Sequence, residues 1–390
     1  MNPTYSGRLA GVLALAALLC GCATWDPPPP PSRLMTFAAR VDSLVPLLLA
    51  ESGVPGIAVG VMEGGQVIAT RGYGLADRAS GRPMTERTLL NFASVSKPVT
   101  AWGVLHLVDG GSISLDAPVG PALHRWRLPP SEFGNEGVTV RRLLSHAAGT
   151  SVISAPWFPA DTTLPTLEQV LRGEAGGRGP VRVERQPGAR WMYSGGGYAV
   201  LQLMVEEASR QSFAEYMRTA VFQPLGMHRT TFAPAAVSGG EVATGYDEEG
   251  NPVAPYRFVS TAAGGLYSSV EDFTRFLTFY AGSRHGVLHP RTFDAMLTPV
   301  ADVNLEGIAD GLDVAGERYA LGHGIHRTRL GETIVYHSGG NPGYLAYFLV
   351  MPERGIGMVV AANGGGGVPV ITRLLQLWSQ HYGVDIQPIY

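Results

Sequence analysis

The chain has 390 residues, of which 45% are hydrophobic, and it contains 51 glycines. That is enough to bury a large core in one or two domains, so a disordered chain is excluded. The formal charge is -3 and the arginines are scattered along the sequence. Because no basic field is present to hold a phosphate backbone, nucleic acid is not expected as a partner.

The N-terminus has the pattern of an export signal. Arg8 precedes the apolar run LAGVLALAALL, which is too short to span a bilayer. The sequence Leu19-Cys20-Gly21-Cys22 resembles a bacterial lipobox, in which the peptide is cut before a cysteine that then carries lipid. We therefore expect a lipoprotein signal peptide over residues 1–21 and lipidation of Cys22, with an ordinary signal peptide cut nearby as the alternative. Ala23 is typical of lipoproteins sorted to the outer membrane, so the expected location is its periplasmic face.

A spacer follows the signal. Both cysteines precede residue 23, so a mature chain starting at Cys22 has no thiol for catalysis, for a disulfide or for a thiolate metal site. The run Pro27 to Pro31 predicts a stiff linker over residues 22–33, which rises about 3 Å per residue and separates the globular part from the membrane. The remaining residues, 34–390, form the expected catalytic domain.

The first elements of this domain are a helix, a hairpin and a second helix. Apolar residues recur at helical spacing over residues 34–51, which predicts an amphipathic helix. Residues 56–77 alternate around a glycine pair and predict a β-hairpin. A helix is then predicted from about Ser94 to Gly110, with Ser94 and Ser96 as candidate caps of its first turn.

The middle of the domain has a different pattern. Residues 116–234 mix helical patterns with loops rich in proline and glycine, which indicates a mainly helical region. Beyond it, a helix is predicted over residues 271–283, a strand over 332–338, a strand pair over 344–363 and a closing helix over 371–383.

Strands at both ends of a helical middle predict an α+β fold. One antiparallel sheet is expected to be built from both ends of the domain and flanked by helices, with the mainly helical region inserted. The sheet region then covers about 34–115 and 235–390, and the inserted helical region covers about 116–234.

Lys97 is the single lysine among the 29 Lys and Arg residues. In Ser94-Val95-Ser96-Lys97, helical spacing brings the Ser94 hydroxyl and the Lys97 amine to the same face. A serine needs a base to become a nucleophile, and a neutral amine can serve as one, whereas a guanidinium stays protonated. For this the lysine pKa must fall by about three units, at a cost of roughly 4 kcal/mol, and burial acts in that direction. The alternative is a solvated charge at the start of a helix.

Two further motifs lie downstream, Tyr193-Ser194-Gly195 and His337-Ser338-Gly339. In this order and at these separations, the three motifs resemble the signatures of the penicillin-recognising serine hydrolases. The sequence is most similar to the branch of the class C β-lactamases, the D-alanyl-D-alanine carboxypeptidases and the family VIII carboxylesterases. Phrases that fit the same branch are LLSHAAG from Leu143, PLGMHRTTF from Pro224, TAAGGLYSSVEDFTRF from Thr261 and HSGGNPGYLAYFLVMPERGIGMVVAAN from His337. The resemblance covers roughly residues 34–383.

The resemblance implies a β-lactamase/transpeptidase-like fold, no metal or organic cofactor, and a small-molecule or peptide substrate, with peptidoglycan among the candidates. Ser94 would be the nucleophile, and Tyr193 would move a proton together with Lys97 as general acid or base. The backbone N–H groups of Ser94 and Gly340 would bind the oxyanion. The residues that would line the substrate site are Gly195, His337, Ser338 and Gly339.

Each of these roles has a structural alternative. Tyr193 could be a core aromatic beside a glycine turn, and His337 could be a polar residue at a strand end. His146 in LLSHAAG is expected to fix a helix end and a loop rather than to take part in chemistry. A Ser-His-Asp triad built on one of the ten histidines stays open, but it leaves Lys97 without a role.

Two departures from the family pattern bear on the substrate. Gly195 stands where the family commonly has an asparagine that binds the substrate's acyl-amide group, and losing such a bond costs about 1 to 3 kcal/mol. His337 stands where β-lactamases usually have lysine, which weakens the positive charge that receives a penicillin carboxylate. We therefore expect an exported serine hydrolase that forms an acyl-enzyme on an ester, amide or lactam, as an esterase or D-amino-acid peptidase rather than an efficient β-lactamase. A β-lactamase and a non-catalytic peptidoglycan-binding lipoprotein are the alternatives.

Overall fold

The computed structural model describes residues 36–233, 241–282, 285–303 and 317–386. The predicted signal peptide, Cys22 and the proline-rich linker lie outside these residues. Within the described part of the chain, no helix is both long and apolar enough to cross a bilayer.

The helices, in chain order, are α1 Phe37–Ser52, α2 Ser96–Asp109, α3 Val140–Leu144, α4 Leu167–Leu171, α5 Gly195–Ser209, α6 Phe213–Met217, α7 Thr261–Gly264, α8 Val270–Leu277, α9 Pro290–Leu297 and α10 Val368–Tyr382. The strands are β1 Gly56–Glu63, β2 Gln66–Asp77, β3 Arg82–Pro83, β4 Leu90–Asn91, β5 Trp157–Pro159, β6 Tyr256–Phe258, β7 Tyr267–Ser268, β8 Ala301–Asp302, β9 Arg318–Tyr319, β10 Gly324–Arg327, β11 Thr333–Asn341, β12 Tyr344–Met351 and β13 Ile356–Ala362.

The main sheet joins both ends of the domain, as predicted. Its strand order is β3-β2-β1-β13-β12-β11-β10-β9-β8, and each strand is antiparallel to its neighbours. The early hairpin β1–β2 therefore lies beside β13, with Ile57 opposite Ala362 and Met62 opposite Gly357. This pairing places the whole helical middle of the chain as an insertion between the two halves of one sheet.

Helices cover both faces of this sheet. Alternate residues of β1 and β13 belong to two separate apolar clusters, one around Phe37 of α1 and Trp378 of α10, the other around Trp102 of α2 and Phe273 of α8. Because both faces are covered, β1 and β13 are buried along nearly their whole length and read as continuous apolar runs.

The inserted region carries helices, but a larger part of it is loop. Its helices α3, α4 and α6 have 5 residues each, and only α5, with 15 residues, is long. It also contributes β5, which pairs with β6 from the second half of the chain. Glycines with positive φ, such as Gly173 and Gly176, interrupt the helical pattern that the sequence suggested, and prolines do the same.

The predicted caps of α2 are wrong. Ser94 lies in a short 3-10 turn, Ala93–Val95, ahead of α2, and no side chain caps the helix. The Ser96 hydroxyl instead donates to the carbonyl of Ala93 at 2.5 Å and accepts from the N–H of Leu266 at 2.9 Å. Ser96 therefore ties the turn to the segment before β7.

Candidate active site

The turn that carries Ser94 has an unusual backbone. Ala93 adopts φ +47°, in the left-handed region that residues with a Cβ rarely use, and such outliers cluster at functional sites. Its N–H donates to Asn91 Oδ1 at 2.9 Å, and the same oxygen accepts from Asn341 Nδ2 at 2.7 Å. Asn91 therefore holds the strained turn and fastens it to the end of β11.

Strand β11 lies directly against this turn. A Cβ placed on Gly339 would come within 2.5 Å of the Phe92 carbonyl oxygen and 2.8 Å of the Ser94 nitrogen. Only glycine fits so close an approach. Gly339, the glycine of the third motif, is thus required because it lies against the main chain of Phe92 and Ser94.

Lys97 is buried beside Ser94. Its Nζ lies 3.1 Å from Ser94 Oγ and donates to the carbonyl of Ala263 at 2.6 Å. Burial lowers the pKa of the Lys97 amine from 10.5 to about 7. The rings of Tyr193 and Tyr198, with centroids 4.6 Å and 5.5 Å from Nζ, attract the ammonium form and so limit this fall in pKa. A substantial fraction of the amine is neutral at neutral pH.

Tyr193 completes the group around the nucleophile. Its hydroxyl shares a hydrogen bond with the Ser94 side chain, and burial raises the pKa of the Tyr193 phenol above its ordinary value. The phenol is therefore protonated at neutral pH and is a proton donor. The structure brings together Ser94, Lys97 and Tyr193, the three residues that the sequence analysis named for catalysis.

His146 holds the two neighbours of Tyr193. Its Nδ1 accepts from the N–H of Ser194 at 3.1 Å, and its carbonyl accepts from the N–H of Met192 at 2.7 Å. The ring lies 4.4 Å from the Tyr193 ring, centroid to centroid. Burial, with the nearby Lys97 charge, lowers the pKa of His146 well below its ordinary value, so the ring is neutral. His146 therefore positions Tyr193, in addition to ending α3.

His337 is a buried, neutral histidine. Its Nδ1 lies 2.5 Å from the Ser338 carbonyl oxygen and its Nε2 lies 2.9 Å from the Tyr319 hydroxyl. Since a carbonyl only accepts, Nδ1 carries the proton and Nε2 accepts from Tyr319. Burial, followed by the Lys97 charge, lowers the pKa of His337 to about 3. His337 therefore provides no positive charge for a substrate carboxylate.

The other predicted substrate-binding residues border the same site. Gly195 begins α5, two residues after Tyr193, and its N–H donates to the Ile153 carbonyl at 2.9 Å. Ser338 is partly exposed and Gly340 is exposed in β11. Among the residues that the structure describes, no three His, Cys, Asp or Glu side chains come together as a metal site.

Sequence reasoning did not identify several residues that shape the site. They are Asn91, Ala263, Tyr198 and Tyr319. Ala263 acts through its carbonyl, and any residue has one, so no side-chain pattern points to it. Its place in the phrase TAAGGLYSSVEDFTRF was the one available signal.

A serine beside a buried, partly neutral lysine and a protonated tyrosine, next to strand β11 of an antiparallel sheet, is the arrangement of a nucleophile with its base and acid. Residues 41–380 match the family model described as Beta-lactamase. The chain therefore belongs to the Beta-lactamase family.

Three similar proteins illustrate this membership. Esterase EstB of Burkholderia gladioli is 35% identical over 211 residues, which are 51% of this chain and 53% of EstB. Protein flp of Staphylococcus aureus (strain COL) is 22% identical over 83% of this chain and 62% of flp. The solved octameric penicillin-binding protein homologue from Pyrococcus abyssi has a TM-score of 0.73 and 30% identity over 89% of this chain and 77% of that one. The chain thus spans only 53% and 62% of the length of the two curated relatives.

Proposed function

We propose that the chain is a serine esterase that works through an acyl-enzyme. Ser94 Oγ attacks the ester carbonyl while the neutral Lys97 amine takes the hydroxyl proton. The backbone N–H groups of Ser94 and Gly340 bind the oxyanion. The tetrahedral intermediate then expels the alkoxide, which takes a proton from the Lys97 ammonium, either directly or from Tyr193 as Tyr193 takes one from the ammonium. Water then attacks the acyl-enzyme by the same steps and releases the acid from Ser94. The observation that carries this proposal is the 3.1 Å contact between Nζ of a buried lysine and Ser94 Oγ.

Two features favour neutral esters over penicillins and peptides. Gly195 has no side chain to bind an acyl-amide group, and the neutral His337 leaves no fixed charge for a substrate carboxylate. A neutral ester has neither an acyl amide nor a carboxylate, so the loss of these two contacts does not weaken its binding. The 35% identity to an esterase over half of the chain supports the same choice.

A D-amino-acid peptidase is the second candidate. The resemblance of the three motifs to those of the D-alanyl-D-alanine carboxypeptidases favours it. A β-lactamase acting on the lactam bond and a non-catalytic protein that binds peptidoglycan peptides are the remaining alternatives.

A substrate panel separates these functions. Purified protein is assayed with p-nitrophenyl esters, nitrocefin and D-alanyl peptides, and is labelled with a fluorophosphonate probe. We expect ester turnover and a single covalent adduct that is absent in Ser94→Ala. Faster cleavage of D-alanyl peptides than of esters would establish the second candidate. Saturable peptide binding without any adduct would establish the non-catalytic alternative.

We also propose that the protein is exported and anchored by lipid at Cys22 on the periplasmic face of the outer membrane. The support is the N-terminal sequence alone. Fatty-acid labelling of the full chain in a bacterial host tests it, with Cys20→Ala as a matched control. Wild type and Cys20→Ala are expected to carry label and Cys22→Ala to carry none; label that survives Cys22→Ala contradicts the assignment.

A further inference from the structure

Residues 151–159, here called the rim segment, fill the space beside the start of α5. The N–H groups of Gly195 and Gly196 donate to the carbonyls of Ile153 and Val152, both at 2.9 Å. A Cβ on Gly195 would lie 2.9 Å from the Ala155 nitrogen and 3.1 Å from the Ile153 oxygen. The missing side chain at position 195 is therefore replaced by main chain of the rim segment.

The other end of the rim segment is linked through β6 to the residue after β11. Trp157 in β5 is paired with Phe258 in β6, and its ring lies 5.7 Å from that of Tyr256. The Tyr256 hydroxyl donates to the Pro342 carbonyl at 2.9 Å, and Pro342 directly follows β11. The rim segment is thus hydrogen-bonded at one end to residues after Tyr193 and is linked at the other end, through Tyr256, to Pro342.

The rim segment exposes large apolar side chains. Ile153 is 55% exposed and Trp157 is 47% exposed. Val152 has φ +65°, which is an outlier for a β-branched residue. Its two neighbours, Ser151 and Ile153, are both held by main-chain hydrogen bonds. Such strain persists only where the surroundings enforce it, and it concentrates at functional sites. Exposed apolar groups on a strained segment that is hydrogen-bonded to Gly195, two residues after Tyr193, indicate a surface that receives an apolar ligand.

We propose that the rim segment determines acyl-group specificity, with Ile153 and Trp157 forming an apolar wall for the acyl chain of an ester bound at Ser94. The substrate class is esters whose acyl group is apolar and uncharged, of medium chain length or aromatic. The inference rests on the proposed esterase function and assigns its substrate. In the related enzymes that the sequence resembles, an asparagine at position 195 would bind the acyl amide; here the rim segment occupies that side of the site.

The test compares Ile153→Ser and Trp157→Ser with wild type on p-nitrophenyl acetate and p-nitrophenyl octanoate. Removing an apolar contact is expected to lower the octanoate-to-acetate ratio of kcat/KM by about tenfold in each variant. Leu330→Ser is the matched control, because Leu330 is an apolar side chain 83% exposed outside the rim segment, and it is expected to keep the wild-type ratio.

The two proposals fail in different ways. An unchanged ratio in both rim variants, with ester turnover and fluorophosphonate labelling of Ser94 intact, overturns the role of the rim segment and leaves the esterase function standing. If wild type hydrolyses neither ester, both the esterase function and the role of the rim segment are overturned. Thermal unfolding of each variant shows whether a lower octanoate-to-acetate ratio accompanies a loss of the folded structure.

Discussion

The imidazole of His146 accepts a hydrogen bond from the N–H of Ser194, the residue that follows Tyr193, at 3.1 Å. The His146 carbonyl accepts from the N–H of Met192, the residue that precedes Tyr193, at 2.7 Å. Tyr193 is thus placed by a ring and a carbonyl of one buried residue. The His146 ring makes no hydrogen bond to Ser94, Lys97 or the Tyr193 hydroxyl, so its role is to hold the phenol within reach of Ser94.

Replacing His146 should therefore affect turnover more than substrate binding. In His146→Ala the Ser194 N–H loses its partner, which costs about 1–3 kcal/mol, and the displaced phenol should lower kcat by roughly 10²-fold with KM changed little. His146→Asn should recover much of kcat, because an amide oxygen can replace Nδ1 and asparagine tolerates the φ of +57° at this position. Steady-state kinetics and thermal unfolding check both variants; equal losses of kcat in Ala and Asn would refute the hydrogen-bonding role.

The activity should depend on the titration of Lys97. The neutral amine is the base, and burial lowers its pKa to about 7, so kcat/KM is expected to rise with pH through about 7 and then to level off. His146 and His337 are neutral throughout this range because burial lowers their pKa values, so neither should produce this limb. Lys97→Arg should abolish turnover despite keeping the charge. A pH–rate profile with its acid limb near 4 would assign the base elsewhere.

The buried amine should also cost stability. The folded-state pKa of Lys97 is about 7 and its ordinary value is 10.5, so between these values the unfolded chain binds more protons and stability rises with pH. Below about 7 both states are protonated and the full cost is present. Lys97→Met, which lacks the charge, should therefore unfold at higher denaturant concentration than wild type at pH 7. The advantage should shrink by roughly 2 kcal/mol at pH 9; an advantage that does not change with pH contradicts the assigned pKa.

Gly339 and Gly340 offer a matched pair of alanine substitutions on β11. A Cβ at Gly339 meets the Phe92 carbonyl at 2.5 Å, whereas at Gly340 the nearest atom is a flexible Leu345 methyl at 3.4 Å. Gly339→Ala should displace the Ser94 turn, destabilise the fold by about 1–3 kcal/mol and abolish acylation. Gly340→Ala should unfold at the wild-type temperature. The measurements are thermal unfolding and fluorophosphonate labelling; two alanines with the same unfolding temperature would exclude the close approach.

Restoring the family asparagine should not create a β-lactamase. A side chain at position 195 meets the main chain of the rim segment at 2.9 Å, so Gly195→Asn should lower the unfolding temperature without raising nitrocefin turnover. Gly366→Ala is the control for a glycine substitution, because a Cβ there meets nothing within 4 Å. A gain in nitrocefin hydrolysis with an unchanged unfolding temperature would show that the rim segment yields to the new side chain.

The sequence predicted what side-chain pattern determines. The alternation around residues 56–77 gave the hairpin β1–β2, and the three-residue spacing of Ser94 and Lys97 gave their 3.1 Å contact. Lysine in place of arginine was the clue to the chemistry, since only lysine can act as a base. These inferences hold because period and proton affinity are properties of the residues themselves.

What the sequence missed depends on main chain brought together from distant parts of the molecule. The carbonyl of Ala263 binds Lys97, and Asn341 binds Asn91 from 250 residues away, and no local pattern encodes either contact. The predicted cap at Ser96 failed because its hydroxyl donates to the nearby carbonyl of Ala93 and accepts from a tertiary partner, the N–H of Leu266. The reason for Gly195 likewise appears only when the rim segment is seen against it.

The contact of Gly339 with the Ser94 turn has a consequence for synthesis. When the first hundred residues have left the ribosome, Ser94 and Lys97 are already present. Gly339, which lies against the strained turn, follows some 240 residues later in the sequence. Closing so long a loop is slow compared with local helix formation. The nascent polypeptide therefore carries an unassembled catalyst, and acylating power arrives only when β11 docks.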